Sequence, residues 1–157
     1  MSLLPWFEWL QQTKAGMAIA SSSPLRASVE IVHLLGMAAT VGSIIVVDLR
    51  LLGLGMRRNP IRRVLEDLTT VTWVGLGVSL PSGGLLLASG AVDYYHNLLF
   101  WTKMALLGTA LIIHSTLYRK AVLNRRAIAP LWTKLLACLS LALWISVGLA
   151  GKWIGLV

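Results

Sequence analysis

Four stretches of the chain, at about residues 28–50, 67–89, 98–118 and 131–154, are apolar almost throughout, and each is close to the roughly 20 residues a helix needs to cross a bilayer. Polar and charged residues gather in the short segments between them. This pattern predicts an all-α integral membrane protein, an up-down four-transmembrane-helix bundle with short loops occupying residues 23–157. Ser23-Pro24 marks the start of the first helix, as an N-cap followed by proline in the first turn. Asn59-Pro60 marks the turn after it, and Pro81 with the two glycines after Ser82 predicts a kink in the second span. Asp93 is placed to cap the third span, and Ala127–Pro130 introduces the fourth. Residues 1–22 lack the basic start and unbroken apolar core of a signal peptide. Leu3, Phe7 and Leu10 fall on one helical face there, which predicts an interfacial amphipathic helix lying on the outer membrane surface.

Helical periodicity sorts each span further, because residues 7, 11 or 18 apart share nearly one azimuth. The first span aligns Glu30, His33, Met37, Thr40 and Asp48; the second aligns Thr72, Ser79 and Gly83. The third aligns His96, Lys103, Leu107, Ala110 and His114; the fourth aligns Thr133, Ser140, Trp144 and Gly151. Each span therefore carries one polar or small stripe that lipid would reject, and the four stripes are expected to face one another. Most Thr, Ser and Gly positions in them serve packing and interhelical hydrogen bonding.

Charge adds an orientation. Only 13% of residues are charged, against about 25% in an average soluble domain, yet the net charge is +8. Arg57, Arg58, Arg62 and Arg63 cluster between the first two spans, and Arg119, Lys120, Arg125 and Arg126 between the last two. Short basic loops stay cytoplasmic. The chain is thus expected to be a multi-pass protein of a bacterial inner membrane, with both termini on the periplasmic side. No nucleic-acid partner is expected, since the cations straddle helix ends and have no aromatic stacking platform. Asp48 is expected to pair with an arginine of the adjacent loop. The single cysteine, Cys138, excludes an internal disulfide and reads as a small buried thiol.

The candidate chemistry lies in the outer half. At 1.5 Å per residue, His33 sits roughly 8 Å below the outer hydrocarbon edge, with Lys103 and Met104 at about the same depth. His96 is at the outer interface and His114 roughly 15 Å further in. A Glu-x-x-His di-iron centre would need glutamates that the chain lacks, since it holds only Glu8, Glu30 and Glu66. No phosphate loop, zincin helix or nucleophile elbow is present, so no independent catalytic activity is expected.

A b-type haem fits this inventory better: it needs an inward axial histidine, small residues for clearance and cations for its propionates. His33 is the candidate ligand, Glu30 the acceptor for its other N–H and Lys103 the propionate partner. His96, Met104 or, less readily, His114 would oppose it. An electron-transfer or redox-accessory role with a membrane or periplasmic redox protein would follow. One alternative is copper or zinc held at the outer face by His33 and His96 with Glu30 and Asp93. Another is a cofactor-free subunit of a larger complex or an oligomer, with Gly151-x-x-x-Gly155 as a contact surface.

The stretches "HLLGMAATVGSIIVVDLRLLGLG" and "NLLFWTKMALLGTALIIH" carry a resemblance to an uncharacterised family of small bacterial four-helix inner-membrane proteins. More distantly the chain is similar to the membrane domain of copper-resistance protein D and to HemJ-type protoporphyrinogen oxidases. The nearer family implies a four-helix bundle. The distant ones imply His33 as a haem or metal ligand with Lys103 as its charged companion.

Overall fold

The computed structural model describes residues 2–54, 61–123 and 130–154, and every regular element among them is an α-helix. In chain order these are α1 (Leu4–Gln11), α2 (Lys14–Ser21), α3 (Ser23–Leu51), α4 (Ile61–Ala88), α5 (Ala91–His96), α6 (Leu98–Leu123) and α7 (Pro130–Ile154). Four segments, Ser23–Leu51, Arg63–Ala88, Leu98–Thr116 and Leu131–Ile154, are long and apolar enough to cross a membrane.

The ends of the long helices follow local chemistry. Ser22, one residue earlier than the sequence pattern suggests, is the N-cap of α3, and Pro24 occupies the first turn, where its missing N–H has no intrahelical partner to lose. At the other end Gly53 takes a positive φ of 85°. That left-handed residue lets Leu54 N–H donate to Leu49 O at 2.8 Å and Gly53 N–H to Arg50 O at 3.1 Å, closing the helix in a Schellman turn. α4 runs on through Pro81 as one helix. Asp93 does not cap the third span: it sits in the first turn of α5, and Asn97 caps α6 by accepting the Leu99 N–H at 2.9 Å.

The long helices pack unevenly. α3 lies along α4, α7 lies against both α3 and α6, and α4 and α6 barely touch. The α3–α4 seam is closed by glycine. A Cβ at Gly36 would stand 2.8 Å from Ser79 N, and one at Gly75 would stand 2.7 Å from Thr40 N and 2.8 Å from Gly36 O. Beyond that crossing Ser43 and Thr72 share a buried hydroxyl hydrogen bond of 2.7 Å, worth on the order of 0.6 kcal/mol between helices in an apolar medium. Partner numbers fall along α4 as they rise along α3, so these two helices run in opposite directions. Ile44, Leu76, Ala110, Trp144 and Val147, drawn from all four long helices, form the apolar centre.

The stripes read from the sequence largely face this interior. Thr40, Asp48, Thr72, Ser79, Ala110, Ser140 and Trp144 are buried, and His33, Met37, Lys103, Leu107, His114, Thr133 and Gly151 are half-buried. Glu30 and His96 are exposed. Cys138 is exposed as well and is not a buried thiol: Ala137 and Ser140 take the inward positions of that turn of α7.

The N-terminal segment also departs from expectation, forming two short helices that fold onto the bundle. Thr13 breaks the chain between them and caps α2, its hydroxyl accepting from Gly16 N at 3.2 Å. Phe7 of α1 packs on Tyr95 and Trp101, with ring centroids 5.2 and 5.9 Å apart. Gln11 Oε1 accepts the Val92 N–H at 2.8 Å. Gly16 lies so close to α4 that a Cβ would be 2.7 Å from Ala88 O. Leu3 remains 52% exposed, so the face turned inward is Leu4, Phe7, Leu10 and Gln11. We call this the capped end and the opposite one the basic end. The Asn59-Pro60 turn, Arg57, Arg58, Arg125, Arg126, residues 127–129 and Gly155 lie outside the described residues, as do the side chains of Arg62, Arg119 and Lys120.

Candidate functional site

His33 sits on α3 toward the capped end, facing α4. Its Nδ1 lies 2.8 Å from Ser79 O and 3.3 Å from Ser82 Oγ. A carbonyl oxygen only accepts, so Nδ1 donates, and in the neutral ring Nε2 is then left with a bare lone pair. Two features of α4 make this contact possible. Ser79 is buried in the seam, where the Gly36 crossing brings the two backbones together. Gly83, one turn on, leaves the space the imidazole fills, since a Cβ there would stand 2.9 Å from His33 Cε1 and 3.3 Å from Nδ1. The ring is thus held by a backbone acceptor on one edge and by the absence of a side chain beneath it.

Lys103 approaches from the other helix pair. Its side chain crosses the bare backbone of Gly151 on α7, where a Cβ would lie 3.2 Å from Nζ and 3.4 Å from Cε. The ammonium is near enough to His33 for its charge to be felt at the imidazole. Among the described residues it forms no hydrogen bond or ion pair, so a half-buried cation beside an oriented imidazole is open to an anionic partner.

The remaining candidates are placed elsewhere. Glu30 is exposed and pairs with Arg26, one turn earlier, at 3.2 Å, so the imidazole N–H is held by Ser79 O and not by this carboxylate. His96, at the end of α5, is exposed and stacks edge-on against Tyr95 at 5.1 Å. Met104 is 37% exposed on α6. His114 reaches the centre of the bundle, where its ring meets Trp144 edge-to-face at 6.5 Å. No hydrogen bond, ion pair or ring contact joins His33 to any of these three, and among the described residues no three His, Cys, Asp or Glu side chains converge as a metal site would require.

Asp48 belongs to the basic end of the same helix. It is 1% exposed, and Ser140 of α7 lies beside it. The expected ion pair with a loop arginine falls partly on residues outside the described ones, and among those described Asp48 has no ion pair.

Ser79, Ser82, Gly83 and Gly151 are the site residues that sequence reasoning did not assign. Gly83 and Gly151 stand in the inward stripes, next to the registers of His33 and Lys103, so their signal was present. The carbonyl of Ser79 has no signature in a side-chain pattern.

A family of unknown function, DUF6644, matches residues 6–157. No curated protein and no solved structure matches the chain.

Proposed function

The chain belongs to DUF6644, and from that premise we propose that it is an up-down four-helix protein of a bacterial inner membrane that binds a b-type haem through His33. Both termini would lie on the periplasmic side. Insertion is supported by the large apolar side chains turned outward midway along the helices, among them Leu34, Leu35, Val74 and Ile112, each more than 60% exposed. Water would oppose such a surface and lipid would not. The orientation rests on the basic loops.

The observation that carries the haem reading is the 2.8 Å contact of His33 Nδ1 with Ser79 O. It fixes the ring and its tautomer and leaves Nε2 basic, as the outer partners of metal-ligating histidines do. The residues fit the group: His33 would hold the iron, the bare Gly83 gives the imidazole its place, and Lys103 would pair with a propionate. The resemblance read from the sequence to the copper-resistance protein D membrane domain and HemJ-type oxidases would imply the same residue pair. The haem would supply one-electron chemistry, and the role we assign is electron transfer or redox accessory to a membrane or periplasmic partner. Among the described residues His33 is the imidazole that the chain brings to the site.

Absorption spectra of the detergent-purified protein, as isolated and after dithionite, with metal analysis of the same sample, test the reading. A Soret band that sharpens on reduction, with α and β bands, is the expected result. Stoichiometric copper or zinc without a Soret band would replace the haem by a non-haem site at the same imidazole. Neither signal in folded protein would overturn both and leave the cofactor-free subunit.

A further inference from the structure

The long helices bury a second polar group that the His33 site does not use. Asp48, Ser140 and Trp144 are 1%, 1% and 2% exposed. Among the described residues, Asp48 Oδ2, Ser140 Oγ and Trp144 Nε1 each lack a hydrogen-bond partner. Ser140 and Trp144 are one turn apart on α7; Ser140 stands beside the Asp48 carboxyl, and Trp144 shares the buried apolar centre with Ile44, one turn before Asp48 on α3. Polar atoms so deep are almost always partnered, because an unpaired one costs about 1–3 kcal/mol. Three of them along one helix interface define a small polar site enclosed by apolar residues.

Its charge can be argued from its neighbours. A carboxylate buried without a counter-ion carries a desolvation penalty of several kcal/mol at least, and it takes up a proton instead. Among the described side chains, the charged and titratable groups toward the basic end of the packed helices are Arg50 on α3, Arg63, Glu66 and Asp67 on α4, and Lys134 on α7; on α6 it is His114, which lies against Trp144, while the side chains of Arg62, Arg119 and Lys120 lie outside the described ones. None of them makes an ion pair with Asp48 among the described residues. A metal cation would suit the site poorly, because the Trp144 indole presents a donor and, among the described residues, no cluster of His, Cys, Asp or Glu side chains converges there. A water suits it well: it accepts the indole N–H and exchanges hydrogen bonds with the serine hydroxyl and a carboxylic acid.

We propose that Asp48, Ser140 and Trp144 form a proton-binding site inside the bundle, with Asp48 held as the neutral acid and one water linking the three unpartnered groups. Loading the site forms one O–H bond on the Asp48 carboxyl with a proton given up by hydronium, which leaves as water; no electron moves. The end of α3 is one turn away, so the exchange is with the basic side of the molecule. The site is independent of any haem at His33.

Infrared spectroscopy of the purified full chain at neutral pH tests it. Of the six carboxyl side chains in the sequence, only Asp48 is expected to show the C=O stretch of a protonated acid. The band should move to lower frequency in D2O, disappear in Asp48→Asn and shift in Trp144→Phe, which keeps the ring but removes the N–H. Absence of the band in folded wild type, or its survival in Asp48→Asn, overturns the proposal. If Asp48→Asn does not fold, Trp144→Phe and Ser140→Ala decide: an unmoved band in both overturns the linked site.

Discussion

His33 and Asp48 hang from the same helix, about four turns apart, and are treated in opposite ways. The imidazole is aimed: its N–H is taken by a backbone carbonyl at 2.8 Å, a glycine makes room beneath it, and its second nitrogen stays available. The carboxyl is sealed in, with one oxygen lacking any partner among the described residues. Both are polar groups in an apolar bundle, so the difference lies in what each can do there. A neutral ring with one edge satisfied tolerates low dielectric and can donate a lone pair. A carboxyl without a counter-ion survives best by holding a proton.

The comparison breaks most visibly at His33. His33→Ala is expected to abolish cofactor binding, read as loss of the Soret band in protein that remains folded by circular dichroism. His114→Ala should leave the spectrum largely intact, because that ring is engaged with Trp144 well below the site. Equal loss in both variants would show that the cofactor is held deeper in the bundle than His33.

Next in size is the seam that brings Ser79 to His33. A Cβ at Gly75 would meet Thr40 Oγ1 at 2.5 Å, Thr40 N at 2.7 Å and Gly36 O at 2.8 Å, atoms of a packed helix that cannot give way separately. Gly75→Ala should therefore push α3 from α4 and destabilise the protein by about 1–3 kcal/mol, seen as a lowered midpoint of thermal unfolding in detergent. An unchanged midpoint would mean that the glycine crossing contributes little. Gly83→Ala is a gentler probe, since its Cβ meets the imidazole and not backbone. It should weaken cofactor binding by on the order of tenfold, or about 1.4 kcal/mol, while leaving the unfolding midpoint near that of wild type. A titration of apo-protein with haem reads the first, and a parallel melt the second.

The sequence made one side of this molecule legible and hid the other. Four long apolar runs predicted the four long helices, and their azimuths predicted that Thr40, Asp48, Ser79, Ala110, Ser140 and Trp144 would turn inward, because helical period and burial are properties of the one-dimensional pattern. Which partner each inward group meets is decided by helix contacts, which the pattern does not contain. Glu30, one turn from His33 in sequence, was the natural acceptor on paper. Its own neighbour Arg26, one turn back, took it, and a carbonyl from another helix took the histidine. The N-terminal segment was legible only as amphipathic: Thr13 breaks it in two, and the dense ring cluster at Phe7, Tyr95 and Trp101 folds it onto the bundle. Cys138 misled because a span position alone does not say which face it occupies.

The smallest effect is expected at Asp48, and it discriminates most finely. Asparagine has almost the shape of a protonated aspartate and, like it, carries no charge. If the acid is neutral, Asp48→Asn should shift the unfolding free energy by no more than about 1 kcal/mol and leave the cofactor spectrum at His33 unchanged. If the carboxylate were instead ionised and paired with an arginine of the neighbouring loop, the same substitution would leave a buried cation uncompensated and destabilise by about 3–5 kcal/mol. Paired thermal melts and reduced-minus-oxidised spectra of the two proteins distinguish these outcomes. A spectrum lost in well-folded Asp48→Asn would show that the two ends of α3 are coupled, and that the separation between an aimed group and a sealed one is not kept in the working protein.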